Sequence, residues 1–276
     1  MNTISVLKDP QILLCIFSIM LNSCSGVEQS SRISAAADDE LGVRIKMVED
    51  RFVHGKEPVI SEDFLLAGLT LDPKFKRRFT NYSGDQCGRY LSAFSKHNVN
   101  ANPLNMQHLV QRILATQKSD GRFGDQELDF HQGQLHGEHM ALLWGNGRLL
   151  TGLLDYYEAF QDSAVLAAAV KLGDFLTGTT ERCLQPDVID KFKKKGAMGF
   201  ICFTQNIEGL VKLYQATNNQ NYLEHAGRIY PFLPEMGNQH VHGYLLTLRG
   251  VLMLYEKTGQ PEQLAFVKNA KSDTPY

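Results

Sequence analysis

Three stretches of the chain carry the same unit, and a unit repeated at helical spacing leaves few architectures open. It reads Gly152-Leu-Leu-Asp-Tyr-Tyr157, Gly209-Leu-Val-Lys-Leu-Tyr214 and Gly250-Val-Leu-Met-Leu-Tyr255, with the tyrosine five residues after the glycine each time. A polar turn follows each copy, at Gln161-Asp162, Asn218-Asn219 and Gly259-Gln260-Pro261. A second segment then restarts at the same offset with Val165-Leu166, Tyr222-Leu223 and Gln263-Leu264. Apolar residues fall at helical rather than alternating spacing, so each unit is predicted to be an αα-hairpin. Gly259 suits a left-handed C-cap and Pro261 the first turn of the next helix. A glycine inside a helix costs about 1 kcal/mol against alanine, so three at one equivalent position predict that a neighbouring helix approaches closely there.

Asp85 to His97 and Pro103 to Gln117 add a further pair, which gives about eight helices in four hairpins, the last reaching about Lys271. Such units bury their faces on their neighbours, so they stack into a solenoid or close into a ring. The expected fold class is therefore all-α, an (α/α) toroid of helical hairpins.

The remaining sequence sets the context. With 276 residues, 43% of them hydrophobic, there is material for one large core. A formal charge of −2 argues against a nucleic-acid partner, which needs a basic face, and the run Lys191 to Lys195 reads as a solvated loop. Lys8 precedes an apolar stretch, Gln11 to Leu21, that is too short to remain as a membrane span. It ends in Leu21-Asn22-Ser23-Cys24, which resembles a bacterial lipoprotein signal with Cys24 as the acylated residue. The expected organisation is a signal peptide over 1–23, a flexible tether over 24–48 and a partial barrel over 49–276. The expected location is the cell envelope, lipid-anchored and facing the periplasm or on the outer membrane. An ordinary secretory signal is the alternative. Cys87, Cys183 and Cys202 then remain; Cys183 and Cys202 either close a disulfide or stay as buried thiols. No Cys-x-x-Cys or His-Glu-x-x-His spacing is present, so no metal site is expected in this chain.

Connections within hairpins are short, whereas the connection from Thr177 to Thr204 is long, so chemistry is expected on the long-loop rim. The polar residues that open the first helix of each hairpin are His136, Glu138, His139, Trp144, Asn146 and Arg148, then Gln205, Asn206 and Glu208, then Gln239, His240 and His242. A concave site with carboxylates, histidines, amides and an aromatic suits a sugar, whose hydroxyls need donors and acceptors and whose ring face needs an apolar platform. The substrate-binding candidates are Glu138, His139, Trp144, Asn146, Arg148, Gln205, Asn206, Glu208, His240 and His242, and no residue is assigned a catalytic role. Each also has a plainer role: Glu138 and Glu208 as helix N-terminal acids, the histidines as caps or rim hydrogen-bonders, and Trp144 as core.

Four segments together resemble glycoside hydrolase family 127, the β-L-arabinofuranosidase-type enzymes. They are Gly84-Asp-Gln-Cys-Gly-Arg-Tyr-Leu-Ser-Ala-Phe94, Gln117-Lys-Ser-Asp-Gly-Arg-Phe-Gly124, Gly147-Arg-Leu-Leu-Thr-Gly-Leu-Leu-Asp-Tyr-Tyr157 and His242-Gly-Tyr-Leu-Leu-Thr-Leu-Arg-Gly250, in the family's order between Ser61 and Ala270. The resemblance implies an (α/α)₆ barrel with β-rich accessory domains, of which this chain supplies about four of the six hairpins. It implies a retaining glycosidase whose nucleophile is a zinc-bound cysteine assisted by glutamates. Zinc is thus expected for the full-length family, but no cysteine follows Cys202, so neither nucleophile nor zinc ligands carry over to any residue. Where the family often has Gly-His, this sequence has Gly88-Arg89 and Gly147-Arg148, and His242 is the best match to a substrate-contacting histidine. The expected function is a glycoside-hydrolase-like domain acting on envelope-accessible oligo- or polysaccharides, shortened and lacking its nucleophile. Two alternatives stand beside it, a non-catalytic carbohydrate-binding lipoprotein and another α-toroid enzyme such as an unsaturated glucuronyl hydrolase. An unfinished ring would also expose apolar helix faces and favour self-association.

Overall fold

The computed structural model describes residues 40–54, 60–74, 81–96, 105–131 and 134–272. The signal segment, Cys24 and residues 24–39 of the expected tether lie outside them. The chain divides into two compact units, residues 1–45 and 46–276. Every regular element among the described residues is helical, and none of these helices is long and apolar enough to cross a membrane.

Helix α1 (Glu40–His54) overlaps the segment read as a tether, whose residues 40–48 are helical. Exposed i,i+4 pairs, Arg44 with Glu40 and Lys46 with Asp50, supply local support that a search for apolar periodicity overlooks.

The second unit carries α2 (Glu62–Thr70), α3 (Asp85–Lys96) and α4 (Met106–Leu114). The long α5 (Gly137–Phe160) is followed by its partner α6 (Ser163–Gly178). After three short helices, α7 (Thr180–Cys183), α8 (Pro186–Phe192) and α9 (Ile201–Thr204), come the pairs α10 (Ile207–Thr217) with α11 (Gln220–Ile229) and α12 (Val241–Thr258) with α13 (Pro261–Ser272). Helices α3, α5, α10 and α12 contact one another in sequence as an inner row, and α6, α11 and α13 each back their own inner partner. This is the hairpin stacking expected of an (α/α) toroid.

The repeated glycines are where the inner helices meet. A Cβ on Gly152 of α5 would lie 2.7 Å from the Gly88 Cα of α3; one on Gly209 of α10, 3.0 Å from Leu150 of α5; and one on Gly250 of α12, 2.7 Å from the Glu208 amide of α10. The contacts at Gly152 and Gly250 are with backbone and tighter than a Cβ tolerates, whereas at Gly209 the Leu150 side chain would have to give by a few tenths of an ångström, so Gly152 and Gly250 set the spacing of the row. Three residues after two of them, Asp155 and Lys212 form a buried ion pair between α5 and α10.

The short turns also repeat. Gln161, Asn218 and Gly259 all adopt the left-handed conformation, and each donates its N–H to the carbonyl of the repeat tyrosine, Tyr157, Tyr214 or Tyr255. Asp162 and Asn219 then cap the outer helices, and Pro261 opens the third.

Other expectations change. Helices α3 and α4 exist, but α4 starts at Met106, where the Asn105 side chain accepts from the His108 N–H. It packs on α2 and α6, tied to α2 by Arg112 with Glu62 and Asp63. The stretch from Thr177 to Thr204 is not an open loop: Val188, Phe192, Phe200, Ile201 and Phe203 are buried in the core, and so fold it into the short helices α7 to α9. Cys87, Cys183 and Cys202 are buried free thiols. Burial pushes the thiols of Cys183 and Cys202 up to about 12, which leaves them protonated. The lysine run is exposed as expected, although Lys191 reaches the Leu135 carbonyl at 2.7 Å.

Candidate functional site

At the end of the inner row opposite the short turns lies a cavity of about 230 Å³, lined by Tyr82, Asp85, Gln86, Arg89, Trp144, Ala197, Ile201, Cys202 and His240. Asp85 and Arg89 come from the first turns of α3, one helical turn apart, so they share a face. The Arg89 Nε donates to both Asp85 carboxylate oxygens at 3.0 Å. Across the cavity, the indole N–H of Trp144 on α5 donates to Asp85 Oδ1 at 2.9 Å. His240 caps α12, its Nδ1 accepting from the Gly243 N–H. Its ring stands edge-on to Trp144 with centroids 5.6 Å apart, and Tyr82 meets the same indole edge-on at 6.5 Å.

Gly243 makes room for this arrangement. A Cβ there would lie 2.5 Å from Trp144 Cζ3 and 2.8 Å from Cη2, so only a glycine lets α12 come down on the indole. His242, one residue earlier, lies 6.3 Å from Trp144 between ring centroids. Its Nε2 is buried without a hydrogen-bond partner among the described residues. Burial, aided by Arg89 and Arg148, holds its pKa below the ordinary imidazole value, so the ring is neutral near pH 7. Burial, with Cys202 and Asp85 nearby, likewise pushes the Tyr82 phenol up to about 12, keeping it protonated.

Behind the aromatic wall is a charged layer. Arg148 on α5 is 6% exposed, and its nearest carboxylate, Glu208 Oε2 on α10, is 3.9 Å away. The other oxygen of the buried Glu208 is held by Arg249 of α12. Thus Trp144, Arg148, Glu208, His240 and His242 gather around one region.

The other candidates sit elsewhere or face inward. Glu138 is exposed in the first turn of α5, and its recorded ion pair is to His136 at 3.8 Å. His139 is buried as part of the α5 capping box, its Nδ1 accepting from the His136 N–H and its Nε2 near the Asp129 carbonyl. Asn146 is fully buried and brackets backbone: it accepts from the Phe123 N–H and donates to the carbonyls of Phe123 and Ser83. Gln205 and Asn206 are buried against Gly147, with Gln205 donating to the Trp144 carbonyl. Gln239 braces the preceding loop through the Lys193 carbonyl. Sequence position put these residues at the correct end of the helices but could not tell an inward-facing amide from an outward-facing one. In the segment Gln117 to Gly124, Gln117 donates to the carbonyls of Gly121 and Ala168, and the Phe123 backbone joins the Asn146 bracket, so its work is to fasten α6 to α5.

Tyr82, Asp85, Gln86 and Arg89 were missed as site residues. The i,i+4 pairing of Asp85 with Arg89 beside a glycine was the available signal. Among the described residues no cluster of three or more His, Cys, Asp or Glu side chains could hold a metal ion. Cys87 instead donates to the Leu65 carbonyl and Cys202 is a protonated wall residue, so these two cysteines do not assemble a zinc-cysteine centre.

Residues 69–232 match the family described as "Beta-L-arabinofuranosidase, GH127 catalytic domain", over more than half of the chain. No curated protein matches. Among solved structures, the chain is similar to a GH127 β-L-arabinofuranosidase from Geobacillus stearothermophilus T6, with 12% sequence identity, a TM-score of 0.51 and coverage of 83% of this chain and 41% of that one. At such identity the likeness speaks for the fold alone, and the chain spans 41% of that enzyme's length. With the family matched across more than half of its sequence and the helical frame matched in space, the chain belongs to the GH127 catalytic-domain family.

Proposed function

We propose that the chain is the helical, sugar-binding portion of a glycoside hydrolase, and that its cavity receives one sugar residue of an oligo- or polysaccharide. The observation that carries this reading is the wall itself: a buried indole and a phenol stand beside Asp85, Arg89 and His240, which pairs an apolar platform with donors and acceptors. Asp85 lines the cavity and Glu208 lies in the charged layer behind it. Both are anchored by arginine, which suits hydroxyl recognition better than the proton transfers of glycoside hydrolysis. Anchoring at the cell envelope through an acylated Cys24 belongs to the same proposal and rests on the Leu21 to Cys24 box alone; a mature N-terminus bearing lipid, read by mass spectrometry, tests it.

Trp144 is the sole tryptophan of the chain, so its emission reports the cavity directly. Titration with L-arabinose and with hexose disaccharides is expected to change that emission saturably, and Asp85→Asn, which weakens the carboxylate's hold on the indole, to reduce the affinity at least tenfold. If no sugar alters the emission of the folded protein, the reading is wrong. Aryl glycosides added to the same protein, with and without zinc, are expected to release no sugar.

A further inference from the structure

The charges around the cavity do not balance, and the imbalance narrows the class of sugar. Asp85 receives Arg89 Nε and Trp144 Nε1, so its charge is already engaged by one guanidinium. The two Nη groups of Arg89, a residue that lines the cavity, make no hydrogen bond to any described residue. Behind it, Arg148 is 6% exposed; among the described residues its Nε makes no hydrogen bond, and its ion pair with Glu208 is loose at 3.9 Å. Glu208 is engaged by Arg249 through its other oxygen. Three arginines therefore face two carboxylates, and the neutral His242 adds no balancing charge. A buried guanidinium without hydrogen bonds is unfavourable unless an anion completes it. Its planar fork matches a carboxylate better than any neutral hydroxyl.

Resting on the sugar-binding reading above, we propose that the cavity takes a sugar residue bearing a carboxylate, a hexuronate, with that carboxylate on the Nη fork of Arg89 and the sugar ring against Trp144. A neutral pentose or hexose fills the same space but offers the Arg89 fork no anion.

Three probes separate the possibilities: digalacturonate, its dimethyl ester, and the neutral galactose disaccharide, each titrated into the full chain while Trp144 emission is read. Digalacturonate is expected to bind at least tenfold more tightly than the ester or the neutral disaccharide. That margin is expected to shrink in 0.5 M salt, on the order of the screening expected for a partly exposed ion pair, and to vanish in Arg89→Gln. Arg89 is half exposed on the first turns of α3, so the variant is expected to keep the wild-type circular dichroism. Equal affinity for acid and ester overturns the carboxylate while leaving sugar binding intact. A margin unchanged in folded Arg89→Gln overturns its placement. Silence with all three sugars overturns both this inference and the reading it rests on.

Discussion

Trp144 is fixed from three directions: Asp85 holds its N–H, His240 and Tyr82 meet its edges, and Gly243 leaves the space its outer carbons occupy. Gly243→Ala is therefore expected to displace the indole, costing about 1–3 kcal/mol by overpacking and shifting the emission maximum; a variant with wild-type stability and spectrum would contradict that contact. His242 gives a pH dependence. Its imidazole is held below the ordinary value chiefly by burial, with Arg89, Arg148 and His240 disfavouring the cation and Asp85 opposing them. Above the ordinary imidazole range neither folded nor unfolded chain carries the proton, and the associated stability is complete. As pH falls below that range the unfolded chain binds the proton first, so stability declines until the folded ring itself titrates. The melting temperature is expected to drop between pH 7.5 and 5, and His242→Gln to reduce the drop; His139, similarly depressed by burial, accounts for another part. At this scale the sequence was half legible. Trp144 and His242 were singled out from their place in the N-terminal parts of their helices and meet in the structure, but Asn146 and Gln205 look equally polar and are consumed by backbone groups that only folding brings near.

Helical elements were read more fully, because the glycine-to-tyrosine unit states its own geometry. The third copy places Gly259 at the left-handed cap, and the other two put Gln161 and Asn218 there at φ 55° and 56°. A glutamine in that conformation is strained where glycine is not, so Gln161→Gly is expected to raise stability, by up to about 1 kcal/mol, in urea denaturation. The opposite outcome is expected of Asp155→Ala. Removing the acid leaves the part-buried Lys212 between α5 and α10 without its counter-ion, a change expected to cost about 3 kcal/mol, at the low end for breaking a buried pair. Helices without such a unit escaped the reading. The short helices α7 to α9 lie in a stretch with too few turns to display a period, and α1 is supported by charge pairs rather than an apolar stripe.

For the second unit taken whole, the serial contacts of α3, α5, α10 and α12 explain why an all-helical toroid could be inferred from three short repeats. Its less legible property is the far side of α12, where Val241, Leu245 and Leu252 remain 51%, 54% and 37% exposed. Their spacing places them on one narrow face of the helix, and apolar faces of this kind promote association. Leu245→Glu is expected to lower the sedimentation coefficient of concentrated protein if that face mediates self-association, and identical profiles would assign the face no such role. The indole has a consequence on the same scale. It bonds to the first helix of the inner row and is overlaid by the last, so it bridges the full span of the curve. Any flexing of that curve must pull on one chromophore, which makes the protein its own strain gauge.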